Sequence, residues 1–296
     1  MTEDLRLSPR VLLADDWRDY ELVDSGNGHK LERYGRFRFV RPEPQALWSP
    51  SLPEEAWSAD GVFDADETDS GRWRFDKEVP ESWTLGWGPL RFAARCTPFR
   101  HLGFFPEQAP HWSWCNEQLS GRETPPKVLN LFAYTGLASL AAASAGAAVT
   151  HVDASKKSIG YAVENQKLSG MEEAPIRWIV DDTMKFVRRE VRRGRRYDGI
   201  ILDPPKYGRG AKGEVWRLED DLPELLELGR QLLSERPAFL LLTVYAVRLS
   251  YLAIQQALTE ALAPLGGRVE AGEMALPETS GGRLLPTAIF ARWRPD

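Results

Sequence analysis

The sequence of 296 residues predicts an α/β protein: an open, doubly wound parallel sheet preceded by a small, mostly β unit. Three observations carry that reading. From Lys127 onward, apolar strand-like runs alternate with helical stretches, and units of that length close right-handed crossovers whose sheet is covered on both faces. Acidic residues stand where several of these runs stop, the ends at which open parallel sheets bind ligands. The first hundred residues lack the alternation and carry short aromatic and β-branched runs cut by turn signals.

In chain order, residues 1–99 read as the small β unit, with turns at Asp24-Ser25-Gly26-Asn27-Gly28 and Thr68-Asp69-Ser70-Gly71. Residues 100–296 form the larger domain, and His101-Leu102-Gly103-Phe104-Phe105-Pro106-Glu107-Gln108 lies in the joining stretch. A polar connector, Ser120 to Pro126, precedes the regular part. Strands are expected at Lys127–Ala133, Ala148–Val152, Ile176–Val180, Tyr197–Leu202 and Ala238–Tyr245. Helices are expected at Gly136–Ala145, Ser155–Ser169, Asp182–Arg193, Val215–Leu233 and Ser250–Leu265. Arg268–Leu276 and Leu285–Trp293 have no helix between them and read as a terminal antiparallel hairpin.

Composition excludes several classes. Hydrophobic residues at 43% supply a core, so general disorder is excluded, and a net charge of -5 excludes a histone-like protein held to nucleic acid by bulk charge. Two cysteines, Cys96 and Cys115, build neither a disulfide framework nor a four-cysteine zinc site, which points to a reducing, cytoplasmic setting. Val128 to Thr150 is uncharged over a membrane-spanning length. Its alanine and glycine content and its change of character at Tyr134-Thr135-Gly136 instead indicate strand, turn and buried helix, with no membrane partner.

Four strand ends hold the candidate chemistry. After the first, Asn130-Leu131-Phe132-Ala133-Tyr134-Thr135-Gly136 has a lone glycine where a dinucleotide fold favours three, so the turn suits a nucleoside without a pyrophosphate, or is simply a tight buried turn. At the second, Val152-Asp153-Ala154-Ser155, Asp153 follows Gly136 by 17 positions, close to the spacing of a ribose-binding acid. Asp153 or Ser155 also reads as a helix cap. At the third, Asp182, with Asp181 as the second choice, is an acceptor for an adenine amino group or again a cap.

The fourth end, Leu202-Asp203-Pro204-Pro205-Lys206-Tyr207, is the sharpest. An acid and two prolines form a rigid corner short of N–H donors and rich in acceptors. Asp203 and the Pro204 carbonyl suit the two hydrogens of an amino group, and Tyr207 suits stacking on its ring.

With these motifs in this order, the chain resembles the class I S-adenosylmethionine-dependent methyltransferases, in the branch that includes bacterial large-subunit (23S) ribosomal RNA methyltransferases. The likeness covers about residues 100–296. It implies a Rossmann-like, seven-stranded sheet with the last strand antiparallel, and S-adenosyl-L-methionine as cofactor. It implies cofactor contacts at Asn130, Phe132, Tyr134, Thr135, Gly136, Asp153, Ala154, Ser155, Asp181 and Asp182. The acceptor would sit beside Asp203, Pro204, Pro205 and Tyr207. Phe104 to Gln108 would lie over the cofactor, or serve only as a connector.

One departure bears on the chemistry. Methylation at C5 of a pyrimidine requires a nucleophile on C6. The C5 enzymes of this branch place a cysteine after the fifth strand, where this chain has Leu242-Thr243-Val244-Tyr245-Ala246-Val247. A nitrogen acceptor is therefore expected, on a base of ribosomal RNA. The alternatives are a protein or small-molecule substrate, or a noncatalytic RNA-binding module that retains the cofactor-site residues.

No metal is expected, because His111 and Cys115 share a helix face with Trp112 and Trp114 nearby and no second ligand pair follows. Arg188 to Arg196 holds six arginines and one acid, which reads as a phosphate contact or as a solvated helix end. From His29 to Arg41, Lys30, Arg33, Arg36, Arg38 and Arg41 alternate with Tyr34, Phe37 and Phe39, either as an RNA-binding surface or as a strand with a buried aromatic face. The Gly208 to Gly213 loop, with Arg209 and Lys212, reads as a substrate-closing loop or an ordinary mobile one.

Overall fold

The structure is a computed structural model and describes residues 9–65, 71–210, 213–245 and 248–296. The expected turn residues Thr68, Asp69 and Ser70, the loop residues Ala211 and Lys212, and Ala246 and Val247 lie outside the described residues.

An edge strand, β1 (Arg10–Leu13), comes first, and its pairing partner lies near the other end of the chain. A five-stranded sheet follows, formed by β2 (Tyr20–Gly26), β3 (His29–Tyr34), β4 (Phe37–Pro42), β5 (Gly61–Ala65) and β6 (Gly71–Phe75) in that spatial order. The hairpin of β7 (Trp83–Trp87) and β8 (Leu90–Ala94) precedes α1 (Ala109–Leu119). The alternating part then runs β9 (Lys127–Leu131), α2 (Leu137–Ser144), β10 (Ala148–Asp153), α3 (Lys156–Leu168), β11 (Ile176–Val180), α4 (Thr183–Arg192) and β12 (Gly199–Leu202). It continues with β13 (Tyr207–Arg209), β14 (Val215–Arg217), α5 (Leu218–Leu232), β15 (Phe239–Tyr245), α6 (Tyr251–Leu262), β16 (Arg268–Pro277) and β17 (Leu284–Arg294).

The large sheet has the order β1-β16-β17-β15-β12-β9-β10-β11. Within it, β17 alone is antiparallel to its neighbours, inserted between β15 and β16. The sheet therefore has eight strands rather than seven. The extra one is β1, drawn from the stretch that the sequence assigns to the small unit and paired in parallel with Gly272–Ala275.

Alternate side chains of the central strands separate two cores, as a pleat with helices on both faces requires. Leu129, Leu131, Ile200, Leu202, Leu240 and Leu242 pack with Leu225, Leu226, Ile254 and Leu258 of α5 and α6. Val128, Val149, Ile201, Phe239 and Leu241 face Cys115 and Leu119 of α1 and Ala142 and Ala143 of α2. A third core joins Tyr34, Phe37, Phe39 and Phe92 to Leu137 and Leu140 of α2 and to Leu276 and Leu285 of the terminal hairpin. The small sheet and the large one therefore share apolar contacts.

One sequence expectation changes here, and one pair of alternatives is decided. Val215–Arg217 is not the start of a helix. It pairs antiparallel with Tyr207–Arg209, and α5 starts at Leu218, after Asp221 has accepted a hydrogen bond from the Arg217 N–H. The alternation at His29–Arg41 is the buried-face pattern: Tyr34, Phe37 and Phe39 are in the core and offer no stacking surface. Arg41 is buried in a fork with Glu32, Lys30 pairs with Glu43, and Arg33 pairs with Glu21, so these cations are committed inside the sheet. The arginine-rich end of α4 is partly neutralised, through Arg188–Glu224, Arg189–Asp181 and Arg193–Glu190. Among the described residues, no helix is long and apolar enough to cross a membrane.

Candidate active site

A cleft opens at the carboxyl ends of β9 and β12, lined by Phe105, Gln108, Phe132, Tyr134, Thr135, Gly136 and Asp203 among others. Its floor is the turn that leaves β9. Phe132, Tyr134 and Gly136 all have left-handed backbones, with φ of 55°, 47° and 85°. For the two aromatic residues this costs on the order of 1–3 kcal/mol each and persists only where the surroundings hold it. Here Asp153 Oδ2 accepts from the Tyr134 N–H at 2.9 Å, Asn165 donates to the Thr135 carbonyl, and the Thr135 hydroxyl donates to the Gly103 carbonyl. A Cβ on Gly136 would come within 2.9 Å of the Ala162 Cβ, so the lone glycine serves both its φ and close packing on α3.

The next two strand ends supply carboxylates. Asp153 Oδ1 accepts from the Ser155 N–H, and Ser155 in turn caps α3 by accepting from Ser158, with Ala154 between them half-buried. Burial raises the Asp153 carboxyl from its ordinary value, against the Ser155 and Tyr134 hydrogen bonds. Asp182 Oδ1 caps α4 through the Lys185 N–H, and Oδ2 has no hydrogen bond among the described residues. Asp181 is held by the Arg189 guanidinium and by the Asp182 N–H. Asn130 also borders the cleft, but its side chain is buried and donates to Ser139 Oγ.

At the end of β12 the acid–proline corner forms as its residues predict. Asp203 is half-buried, Pro204 buried and Pro205 exposed. The Pro205 carbonyl accepts the Trp216 indole N–H at 2.7 Å, whereas that of Pro204 accepts no hydrogen bond among the described residues. Burial, together with the neighbouring Glu107 carboxylate, pushes the Asp203 carboxyl up to about 8. Tyr207 is elsewhere: it lies on the β13–β14 hairpin, 48% exposed, accepting from Arg209 Nε, and is not among the cleft-lining residues.

Phe105 and Gln108, from the segment expected over the cofactor or as a connector, complete the corner with Tyr245, which the sequence did not single out as a site residue. Gln108 Nε2 donates to both Asp203 and Tyr245, and the Phe105 ring lies 5.4 Å from that of Tyr245. The available signal was position: Phe105 and Gln108 belong to the joining stretch, and Tyr245 ends the fifth strand of the alternating part.

This donor set fits a nucleoside cofactor without phosphates. Carboxylates stand at the ends of β10 and β11, where hydroxyl and amino donors can be met, and the turn between carries strained backbone and aromatic rings rather than an anion cradle.

Comparison with known proteins agrees. A family model described as S-adenosylmethionine-dependent methyltransferase matches residues 64–240. A crystal structure described as a SAM-dependent methyltransferase from Agrobacterium tumefaciens is 49% identical with a TM-score of 0.94, covering 98% of this chain and 94% of that one. A putative methyltransferase complexed with SAH shares the fold at a TM-score of 0.71 and 20% identity, covering 94% of this chain and 76% of its own. Among curated proteins, the ribosomal RNA large subunit methyltransferase K/L of Pseudomonas paraeruginosa is 29% identical over 166 residues, 55% of this chain and 22% of that enzyme. The aligned stretch thus spans about a fifth of the length of the first such relatives. Fold, site and likeness together place the chain in the family of S-adenosylmethionine-dependent methyltransferases, with S-adenosylmethionine as its cofactor.

Proposed function

We propose that this methyltransferase acts on RNA, at a nitrogen of a base in large-subunit ribosomal RNA. The observation that carries the choice of nitrogen is the acceptor pair at the end of β12: Asp203 beside a Pro204 carbonyl with no hydrogen bond among the described residues. S-adenosylmethionine supplies a methyl group already activated on a sulfonium. The chain's own task is then placement, and well-oriented groups reach effective molarities of about 10⁵–10⁸ M. Asp203 and the Pro204 carbonyl accept the two hydrogens of an exocyclic amine and fix the direction of its lone pair. A carboxyl poised near 8 also suits receipt of the proton that the methylated nitrogen loses.

Two observations weigh against carbon methylation: Tyr245 stands at the end of β15, and neither thiol lines the cleft or is readily ionised, burial raising Cys96 to about 12 and Cys115 further. The resemblance to ribosomal RNA enzymes supports RNA as the acceptor.

Within this reading, Asp153 meets the ribose hydroxyls, with Ala154 and Ser155 beside it. Asp182 meets the adenine amino group through its uncommitted oxygen, while Asp181, tied to Arg189, positions the turn. Phe132, Tyr134, Thr135 and Gly136 bring backbone close to the cofactor, and Asn130 supports them from beneath. The small β unit lies within residues 1–99, apart from β1, which joins the sheet of the catalytic body formed by residues 100–296.

Mass spectrometry of ribosomal RNA nucleosides from cells with and without the protein tests the proposal. One methylated nucleoside should disappear with the gene and return with the wild type but not with Asp203→Ala. Methyl label recovered from protein or small molecules alone, in a purified assay on cell fractions, overturns it.

A further inference from the structure

Four rings form a continuous row beside the acceptor corner. Phe99 stacks on His101 with centroids 5.8 Å apart and planes 22° from parallel. His101 lies 5.5 Å from Phe105, and Phe105 lies 5.4 Å from Tyr245. The inner end is fixed next to Asp203, because one Gln108 amide nitrogen binds both the Tyr245 hydroxyl and the Asp203 carboxylate. The outer end is in water: Phe99 is 59% exposed.

An isolated exposed aromatic needs no explanation, since much of any protein surface is apolar. This one is continuous with rings that lead to the reaction centre. Phe99 does not line the cofactor cleft, and His101 reaches it through Tyr134, whose hydroxyl lies 3.3 Å from His101 Nδ1, so the row runs from the cleft edge out to solvent. Burial, with the nearby Arg41 and Arg100 guanidiniums, holds His101 down at about 4, so at physiological pH it is a neutral ring that stacks without carrying a charge of its own.

We infer that Phe99, His101, Phe105 and Tyr245 form a stacking track that receives an unpaired nucleobase and leads it to Asp203, so that the enzyme takes single-stranded or extruded nucleotides and not paired ones. The inference deepens the RNA reading given above and rests on it. Its chemistry is general: bases in an A-form duplex have their faces covered by neighbours, whereas unpaired bases stack readily on aromatic side chains.

The experiment measures binding of a labelled short single-stranded RNA, and of the same sequence annealed to its complement, by fluorescence anisotropy with full-length wild type, Phe99→Ala and Phe99→Trp. Because Phe99 is exposed, both variants are expected to fold, and circular dichroism checks this. Phe99→Ala should weaken single-strand binding roughly 5- to 150-fold, the range for loss of one stacked base. Phe99→Trp should bind like the wild type, and neither duplex affinity nor affinity for S-adenosylmethionine should change. An undiminished single-strand affinity in Phe99→Ala, or an equal loss on the duplex, overturns the track. Ribosomal RNA methylation by the wild type is scored separately, so the track can fail while the proposed function stands. Failure of the wild type to bind any RNA sinks both.

Discussion

Gln108 holds Asp203 and Tyr245 through a single nitrogen: Nε2 is 3.1 Å from Asp203 Oδ2 and 2.8 Å from the Tyr245 hydroxyl. Asp203 has no other side-chain donor among the described residues, so Gln108 decides which way its carboxylate faces. Hydrogen bonds to charged groups are worth about 1.5–3 kcal/mol. Gln108→Ala should therefore lower kcat/KM for methyl transfer about 10- to 150-fold, and steady-state kinetics with an unchanged kcat/KM would remove Gln108 from this role.

In its proposed role as acceptor, the Asp203 carboxyl gives the reaction a pH dependence. With its pKa near 8, raised by burial and by Glu107, the ionised acceptor accumulates as pH rises, so the rate should climb through about pH 8. Gln108→Glu would add a second carboxylate beside it and move the midpoint upward. A wild-type rate that is flat from pH 6 to about 9 contradicts this assignment.

The same carboxyl should cost stability. Between its unfolded value near 3.8 and its folded value near 8, the native state binds the extra proton, so stability falls as pH rises across that window. Asp203→Asn removes the titration. Urea denaturation should show the variant gaining on the wild type by up to about 1.4 kcal/mol per pH unit within the window, with no further gain above it. A constant difference across that range would refute the linkage.

Asp153 combines two duties, holding the Tyr134 N–H and facing the cofactor ribose in the proposed arrangement. For Asp153→Ala, titration calorimetry should record S-adenosylmethionine affinity reduced about 10- to 150-fold, with Asp153→Asn losing less because one acceptor oxygen remains. Equal affinities for all three proteins would rule out the ribose role.

Asp24 ties the small sheet to the terminal hairpin. Its buried carboxylate accepts from the Ser51 and Leu52 N–H groups, the Trp57 indole and the Ser280 hydroxyl. Burial alone would raise its carboxyl, but these four hydrogen bonds outweigh it and hold the group below its ordinary value. Asp24→Ala should cost about 3 kcal/mol in urea denaturation near neutral pH. The difference should shrink as pH falls through the depressed folded pKa, because the wild type then loses the same stabilisation. A loss within about 0.5 kcal/mol, the range of ordinary surface substitutions, would show the network to be incidental.

The large sheet was legible because central strands such as β12 and β15 are nearly continuous apolar runs and its helices begin at residues that cap them, as Ser155 and Asp182 do. Val215–Arg217 misled because Val-Trp-Arg before an acidic run suits either an amphipathic helix or a short strand, and only Tyr207–Arg209 decides between them. Tyr207 was expected near the acceptor from its place in the motif, yet it pairs on the β13–β14 hairpin with its side chain 48% exposed, and the side chain that reaches Asp203 is Gln108, which also holds Tyr245. The contact between Gln108 and Asp203 spans most of the intervening sheet and has no local signature. Likewise, alternation from His29 to Arg41 reveals a strand, but which face meets the core depends on elements far away in sequence.

The pairing of Arg10–Leu13 with Gly272–Ala275 has a consequence for how the molecule is made. The strand β1 is synthesised well before β16, so its hydrogen-bonding edge does not exist until β16 has been made, and such distant contacts are slow to form. The nascent chain must carry Val-Leu-Leu without this partner until then. Closure of this edge of the sheet thus waits for residues 272–275, and slowing translation before Gly272 would prolong the interval in which that strand is open to wrong partners.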